Sequence, residues 1–289
     1  MLDSLKALVR GTIVERPARR LHAALTGRAA TREQLADQPR SDSAAATPAP
    51  CSATVTGEPD LNATYDGQTV AVMARILARD SVCIDVGCHV GQILDEMLRY
   101  APDGHHYAFE PLPDLFEGLR TRYADVSNVT VHNTALSDTE GTFRFHHVTS
   151  NPGYSGFRKR RYDRSGEEIV ETEVTVEALD NVLSDHSKVA LIKIDVEGAE
   201  LQVMQGAKEI LRRSQPVVIF EHGLGAADVY GTRPEHIYKL LSQVGLHIFL
   251  MGDWLAGRSP LSQDEFAHEF DSGRNYYFMA APMLSRKKI

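Results

Sequence analysis

The sequence predicts an α/β protein: a mostly parallel sheet covered by helices on both faces, an antiparallel strand pair at one edge and a helical segment ahead of it. Three observations carry this. From about residue 66 short apolar runs alternate with stretches of helical length, the pattern of successive βαβ units. The last two apolar runs, 246–251 and 275–280, read as an antiparallel pair closing the sheet. Residues 1–36 instead place Leu2, Leu5, Leu8 and Val9 at the spacing of one helical face.

Taken in order, the N-terminal segment is basic through Arg10, Arg16, Arg19, Arg20 and Arg28, and residues 40–58 are rich in Ala, Ser, Thr and Pro, as a flexible linker is. Residues 1–62 are therefore expected to form a helical segment plus linker, and 63–289 the main domain. The N-terminal helix is expected to pack on the periphery of the body; a lid, a homo-oligomer contact and a surface-seeking helix are the alternatives. A helix is expected over 67–78, a strand over 82–86, a helix over 91–100, a strand over 105–110, a helix over 113–123 and a strand over 129–132. The stretches 141–147 and 168–176 look extended, the second alternating apolar and charged residues. Then follow a helix at 177–184, a strand at 189–194, a helix at 199–213, a strand at 216–220 and a helix at 234–244, before the closing strands. There is no internal repeat.

Composition narrows the class. The 289 residues are 43% hydrophobic and carry a net charge of -8, which argues against general nucleic-acid binding. Cys51, Cys83 and Cys88 form neither a metal spacing nor an even disulfide set, and Cys83 reads as a small buried residue of a strand. No run reaches the roughly 18 apolar residues of a membrane span, and the N-terminus lacks a compact secretory stretch. A reducing, cytoplasmic location is expected.

In an open parallel sheet, ligands lie outside the carboxyl ends of the strands. Those ends carry acids: Asp85 before Gly87 and Gly91, Glu110 before Pro111, Asp195 with Glu197 following, and Glu221 before His222. The strand at 129–132 leads to Asn133 and then Ala135, Leu136, Ser137 and Asp138. A dinucleotide site wants G-x-G-x-x-G facing a pyrophosphate. Here the run is G-C-H-V-G with Asp85 just before it, and that acid would repel a phosphate. Gly87 and Gly91 are expected to let the backbone approach a ligand closely. Glu110, 25 positions after Asp85, suits a carboxylate gripping both hydroxyls of a ribose. S-adenosylmethionine has a ribose, an adenine, an amino-acid head and a sulfonium, and no phosphate.

The blocks "IDVGCHVGQ", "YAFEPLPDLFEGLR", "TALSDTEGTFRF" and "LIKIDVEGAELQVMQGAKEIL" together resemble the FkbM family of S-adenosylmethionine-dependent methyltransferases, over about residues 66–223. The resemblance implies a class I, Rossmann-like methyltransferase fold, seven strands with the last-placed one antiparallel, and usually O-methylation of a natural product, sugar or glycan. It implies that Asp85 and Gly87 line the cofactor turn, that Glu110 holds the ribose, and that Asn133 to Ser137 border the adenine. Cys88-His89 departs from the Ala-Asn common in the family; His89 is assigned to the amino-acid head.

A hydroxyl acceptor must lose its proton to a general base, or to a metal that acidifies it. His222 is the expected base, with Asp195 and Glu221 either orienting it or holding a divalent ion through hard oxygen ligands. Glu197 is expected on the substrate side, the alternative being a helix N-terminal acid. The loop 151–166 is rich in Gly, aromatics and Arg. Its Arg158, Lys159, Arg160, Arg161 and Arg164 are expected to meet an anionic acceptor, with Tyr154, Phe157 and Tyr162 stacking on rings, unless they form a solvated surface balanced by nearby glutamates. The expected function is methyl transfer to a hydroxyl of a small molecule, sugar or glycan, with a small-molecule or carbohydrate acceptor as partner. The competing readings are a nucleotide-dependent enzyme on a similar sheet and a catalytically silent cofactor-binding module.

Overall fold

The computed structural model describes residues 60–161, 166–183 and 188–283. The expected N-terminal helix and its oligomer contact, the linker, Cys51, Tyr162 and Arg164 lie outside the described residues. The chain divides into two compact units, Met1–Thr64 and Tyr65–Ile289. Among the described residues no helix is long and apolar enough to cross a membrane.

Helix α1 (Leu61–Ile76) leads into a seven-stranded sheet. Its strands are β1 (Val82–Val86), β2 (His106–Phe109), β3 (Val129–His132), β7 (Val189–Ile194), β8 (Val217–Glu221), β9 (His247–Phe249) and β10 (Tyr277–Ala281). They lie in the order β3-β2-β1-β7-β8-β10-β9. The first five are mutually parallel, and β10 runs antiparallel to both β8 and β9. The antiparallel edge pair is as expected, with the last strand of the chain inserted ahead of its predecessor. The parallel strands are dense in apolar residues because both faces are covered: Cys83 to Val86 and all of β8 are buried. Cys83 and Cys88 are buried free thiols. The chain goes from β1 outward to β2 and β3, then returns to place β7 on the other side of β1. That reversal opens a crevice outside the carboxyl ends of β1 and β7.

The helices between these strands are α2 (Gln92–Tyr100), α3 (Pro113–Arg122), α4 (Leu179–Val182), α5 (Glu200–Gln205), α6 (Lys208–Ser214), α7 (Pro234–Gln243), α8 (Met251–Leu255) and α9 (Gln263–Ser272). The extended stretches at 141–147 and 168–176 pair with each other rather than with the main sheet. They form β5 (Gly141–Val148) and β6 (Ile169–Glu177), which with β4 (Ala135–Leu136) make a three-stranded sheet in the order β4-β6-β5. One face packs Phe145, Val174 and Val176 against Leu112 and Ala135.

Two expectations change. The helix expected over 199–213 is two helices, α5 and α6. The break falls at Gly206–Ala207, where a Cβ on Gly206 would lie 2.0 Å from the Ser137 carbonyl oxygen. The strand expected over 246–251 ends at Phe249, and α8 and α9 follow. Helix α9 carries a capping box: Ser262 Oγ accepts from the Glu265 N–H at 3.3 Å, and Glu265 Oε2 accepts from the Ser262 N–H at 2.7 Å. Its Phe266 and Phe270, one turn apart, are buried.

Candidate active site

At the end of β1 the chain turns through Gly87 (φ +77°), His89 (φ +51°) and Gly91 (φ +86°) into α2. The N–H groups of Gly87 and Cys88 both donate to the Phe109 carbonyl, tying the turn to β2. The space beside each glycine is filled by the protein. A Cβ on Gly87 would lie 1.9 Å from the Asp195 carbonyl oxygen, and one on Gly91 would lie 2.5 Å from the Tyr123 hydroxyl. On the side where a Cβ would stand, these glycines let β1, β7 and α3 close on the turn. Gly87→Ala combines a left-handed backbone with a backbone clash. It is expected to cost about 3 kcal/mol or more and to lower Tm by roughly 6–12 °C in a thermal melt.

Glu110 is buried at the end of β2. Its Oε2 accepts the His89 N–H at 2.9 Å and its Oε1 the Leu112 N–H at 3.0 Å, so one carboxylate spans two loops of the crevice. Burial pushes its pKa up to about 7. Each oxygen keeps a second lone pair for another donor. Asn133 Nδ2 donates to the carbonyls of Glu110 and Pro111, both at 3.0 Å, and fixes that loop. Ala135 and Leu136 turn their side chains into the core. Ser137 donates its N–H to Glu177 and its hydroxyl to Asp138, at 3.0 and 3.2 Å. In the segment expected to border an adenine, Ala135 and Leu136 therefore expose no side chain, while Asn133 and Ser137 carry the polar ones.

Asp85 has no exposed surface. The parallel register sets it beside Lys193 of β7, whose Nζ lies 3.8 Å from Asp85 Oδ1, 3.5 Å from Asp195 Oδ2 and 3.4 Å from the Gly87 carbonyl oxygen. Burial raises the Asp85 pKa and the Lys193 charge opposes that rise. Burial alone would lower the Lys193 pKa, but Asp195 and Asp85 together hold it above the ordinary value. Sequence reasoning passed over Lys193, although a lysine inside the apolar run VALIKI needs a buried partner. His89, in the left-handed turn, is exposed.

Asp195 also accepts the Tyr277 hydroxyl at 2.5 Å, from β10. Asp195, Glu197 and Glu221 have oxygens within 4.8 Å of one another, a set able to hold a cation. Glu197 sits at φ +58° and forms a buried ion pair with Arg160. Glu200, also passed over, is buried and accepts the N–H groups of Val196 and Gly198 at 3.2 and 3.0 Å, closing the turn after β7. Its pKa rises to about 8 through burial and then the Glu221 charge.

His222 is elsewhere. Adjacent strand residues face opposite ways, so Glu221 joins the carboxylates while the His222 ring stacks 4.5 Å from Phe270 and 5.6 Å from Phe266. Neither ring nitrogen has a hydrogen-bond partner among the described residues, and burial pushes the pKa down to about 3. A ring so reluctant to take a proton does not suit the base role expected of it. The expected substrate loop is also revised. Arg158 donates to the Val229 carbonyl at 2.9 Å and lies 5.4 Å over the Tyr230 ring, Arg161 pairs with Asp228 at 3.0 Å, and Arg160 stacks over the buried Tyr154. Phe157 packs edge-on against Phe145 at 5.1 Å. Arg158 and Arg161 thus dock the loop onto the segment after β8, Arg160 onto Glu197 after β7, and Phe157 onto β5.

A seven-stranded sheet in this order, with a glycine turn after β1 and an acid closing β2, is the class I, Rossmann-like methyltransferase fold. Residues 85–247, more than half the chain, match the methyltransferase FkbM domain. The chain belongs to that family. It is 28% identical over 155 residues to methyltransferase sdnD of Sordaria araneosa, covering 44% of this chain and 60% of that protein. It is 27% identical over 153 residues to the 2-O-methyltransferase NoeI of Sinorhizobium fredii (47% and 61%). It is 28% identical over 178 residues to the hexuronic acid methyltransferase AglP of Haloferax volcanii (58% and 64%). The chain thus spans under two thirds of the length of these relatives. A solved methyltransferase FkbM from Methylobacillus flagellatus superposes with a TM-score of 0.45 at 16% identity, covering 71% of this chain and 44% of that one.

Proposed function

We propose that the chain is an S-adenosylmethionine-dependent O-methyltransferase acting on a hydroxyl of a sugar, glycan or other small molecule inside the cell. The observation that carries this is Glu110: a buried carboxylate at the end of β2, held by two backbone N–H groups, with lone pairs left for two hydroxyl donors. The crevice also fits a cationic ligand. Asp85, Glu110, Asp195, Glu197, Glu200 and Glu221 are set against Lys193 and Arg160. Among the relatives, NoeI is a 2-O-methyltransferase and AglP a hexuronic acid methyltransferase.

Glu110 would hold the ribose, Asn133 and Ser137 would border the adenine, and the His89 turn would flank the amino-acid head. S-adenosylmethionine supplies a methyl group already activated on a sulfonium. What the protein adds is alignment of the acceptor oxygen and removal of its proton. We assign the proton to Glu221, beside which Asp195 lies. Asp195 is fixed by Tyr277 and Lys193, and like-charge crowding between Glu221 and Glu200 favours a proton on that pair. A divalent ion on Asp195 and Glu221 is the second reading, favoured by the proximity of three carboxylates. The Arg160 guanidinium beside Glu197 already supplies positive charge there.

Calorimetric titration with S-adenosylmethionine and with NAD tests the cofactor, and saturable binding of the first alone is expected. Transfer of labelled methyl to a panel of sugars should give a product stable to mild base, as an ether is. Label released as methanol would show an ester instead. Glu221→Gln is expected to lower kcat by about 10²- to 10⁴-fold with cofactor affinity nearly unchanged. Loss of turnover on chelation, restored by magnesium, would move the account to the ion-assisted reading.

A further inference from the structure

Asp85 is the acid that the sequence offers to a ligand, yet it is sealed. Its carboxylate is fully buried, and the Lys193 ammonium lies 3.8 Å from it. Lys193 keeps 9% and Asp195 23% of its side-chain surface, so what the β1–β7 floor presents outward is one cation beside one anion. We propose that this pair is the socket for a zwitterion, the amino-acid head of the cofactor, with Lys193 taking its carboxylate and Asp195 its amino group. The proposal rests on the S-adenosylmethionine reading above and adds a binding residue to it.

Three observations support the assignment. First, position: the register places Lys193 level with Asp85, and its Nζ reaches the Gly87 carbonyl, so the ammonium stands at the turn where the crevice begins. Second, slack: its three polar contacts among the described residues, at 3.4, 3.5 and 3.8 Å, are all longer than the roughly 2.7–2.9 Å of a charge-assisted hydrogen bond. An ammonium held that loosely gains by closing on a further anion. Third, charge: Lys193 and Asp195 offer side by side the two signs that a zwitterionic head needs. A purely structural explanation is weaker, because a buried ion pair is often no more stable than apolar side chains of similar size. Asp85 then acts through Lys193, holding it from beneath.

The test compares ligands with and without the head. S-adenosylhomocysteine carries the amino and carboxyl groups, and 5′-methylthioadenosine keeps the adenosine and sulfur but lacks both. By calorimetry on the full chain, Lys193→Met is expected to weaken S-adenosylhomocysteine about tenfold or more while moving 5′-methylthioadenosine less than about threefold, and Lys193→Arg to recover part of the loss. Equal losses on both ligands, or no loss on the first, would overturn the proposal. The unmutated chain gives an independent reading: the decarboxylated analogue of S-adenosylhomocysteine should bind at least about tenfold more weakly than its parent. Equal affinities would refute the carboxylate contact whether or not the Met variant folds. A chain that binds none of these adenosyl ligands would fail at the cofactor reading itself.

Discussion

Glu110→Ala is expected to weaken S-adenosylhomocysteine by about 30- to 150-fold, measured by calorimetry. The carboxylate serves two sets of donors at once. Its removal takes the acceptor from up to two ribose hydroxyls and also strands the N–H groups of His89 and Leu112, which it now satisfies from opposite loops. Hydrogen bonds to a charged group are worth about 1.5–3 kcal/mol each, and part of the loss is recovered by water entering the truncated site. Glu110→Gln should lose less, about tenfold, because one carbonyl oxygen still accepts. A pH signature accompanies this. Burial lifts the Glu110 pKa to about 7, so near neutrality a fraction of the carboxyl is protonated. Hydroxyl donors favour the ionised form. Affinity should therefore rise with pH through about 7 in the unmutated chain and stay flat in the Gln variant. Identical profiles would remove Glu110 from the ribose.

His222 governs the second large effect, on stability. The ring titrates at about 3 when folded, against an ordinary 6.5. Below 6.5 the unfolded chain takes up a proton that the native state refuses, so this residue destabilises the fold progressively as pH falls toward 3. At about 1.4 kcal/mol per pH unit the full penalty is on the order of 4–5 kcal/mol, a large share of the roughly 5–15 kcal/mol that holds a domain together. His222→Phe keeps an aromatic ring against Phe266 and Phe270 and removes the titration. Between about pH 7.5 and pH 4.5 its Tm is expected to fall by roughly 5–10 °C less than that of the parent. Turnover near neutral pH should survive the change. Parallel melting curves would show that the ring is not the acid-sensitive element, and lost turnover would return His222 to catalysis.

The sheet was legible because its strands are apolar runs separated by helix-length stretches, and the crevice because acids beside buried strands need a reason. Those two patterns sufficed to put Glu110, Asp195 and Glu221 at the carboxyl ends of β2, β7 and β8. What they could not give is facing. Glu221 and His222 are neighbours in sequence, and one residue of strand moves a side chain from the carboxylate cluster to a phenylalanine pocket. Partners distant in sequence were equally hidden. Tyr277 meets Asp195 from 82 residues away, and Arg158 and Arg161 find theirs beyond β8. Lys193 was overlooked because its meaning depends on strand register: only beside Asp85 does a lysine in an apolar run become a charged floor. Helix α9, by contrast, could have been read from Ser262 and Glu265 followed by Phe266 and Phe270.

The measurement that bears most directly on the central claim is a crystal structure of the chain grown with excess S-adenosylhomocysteine. The account predicts the ligand outside the carboxyl ends of β1 and β2, with both ribose hydroxyls on Glu110 and the amino-acid head on Lys193 and Asp195. A ligand bound elsewhere, or the same crevice filled by a phosphorylated nucleotide in competition with it, would contradict that assignment.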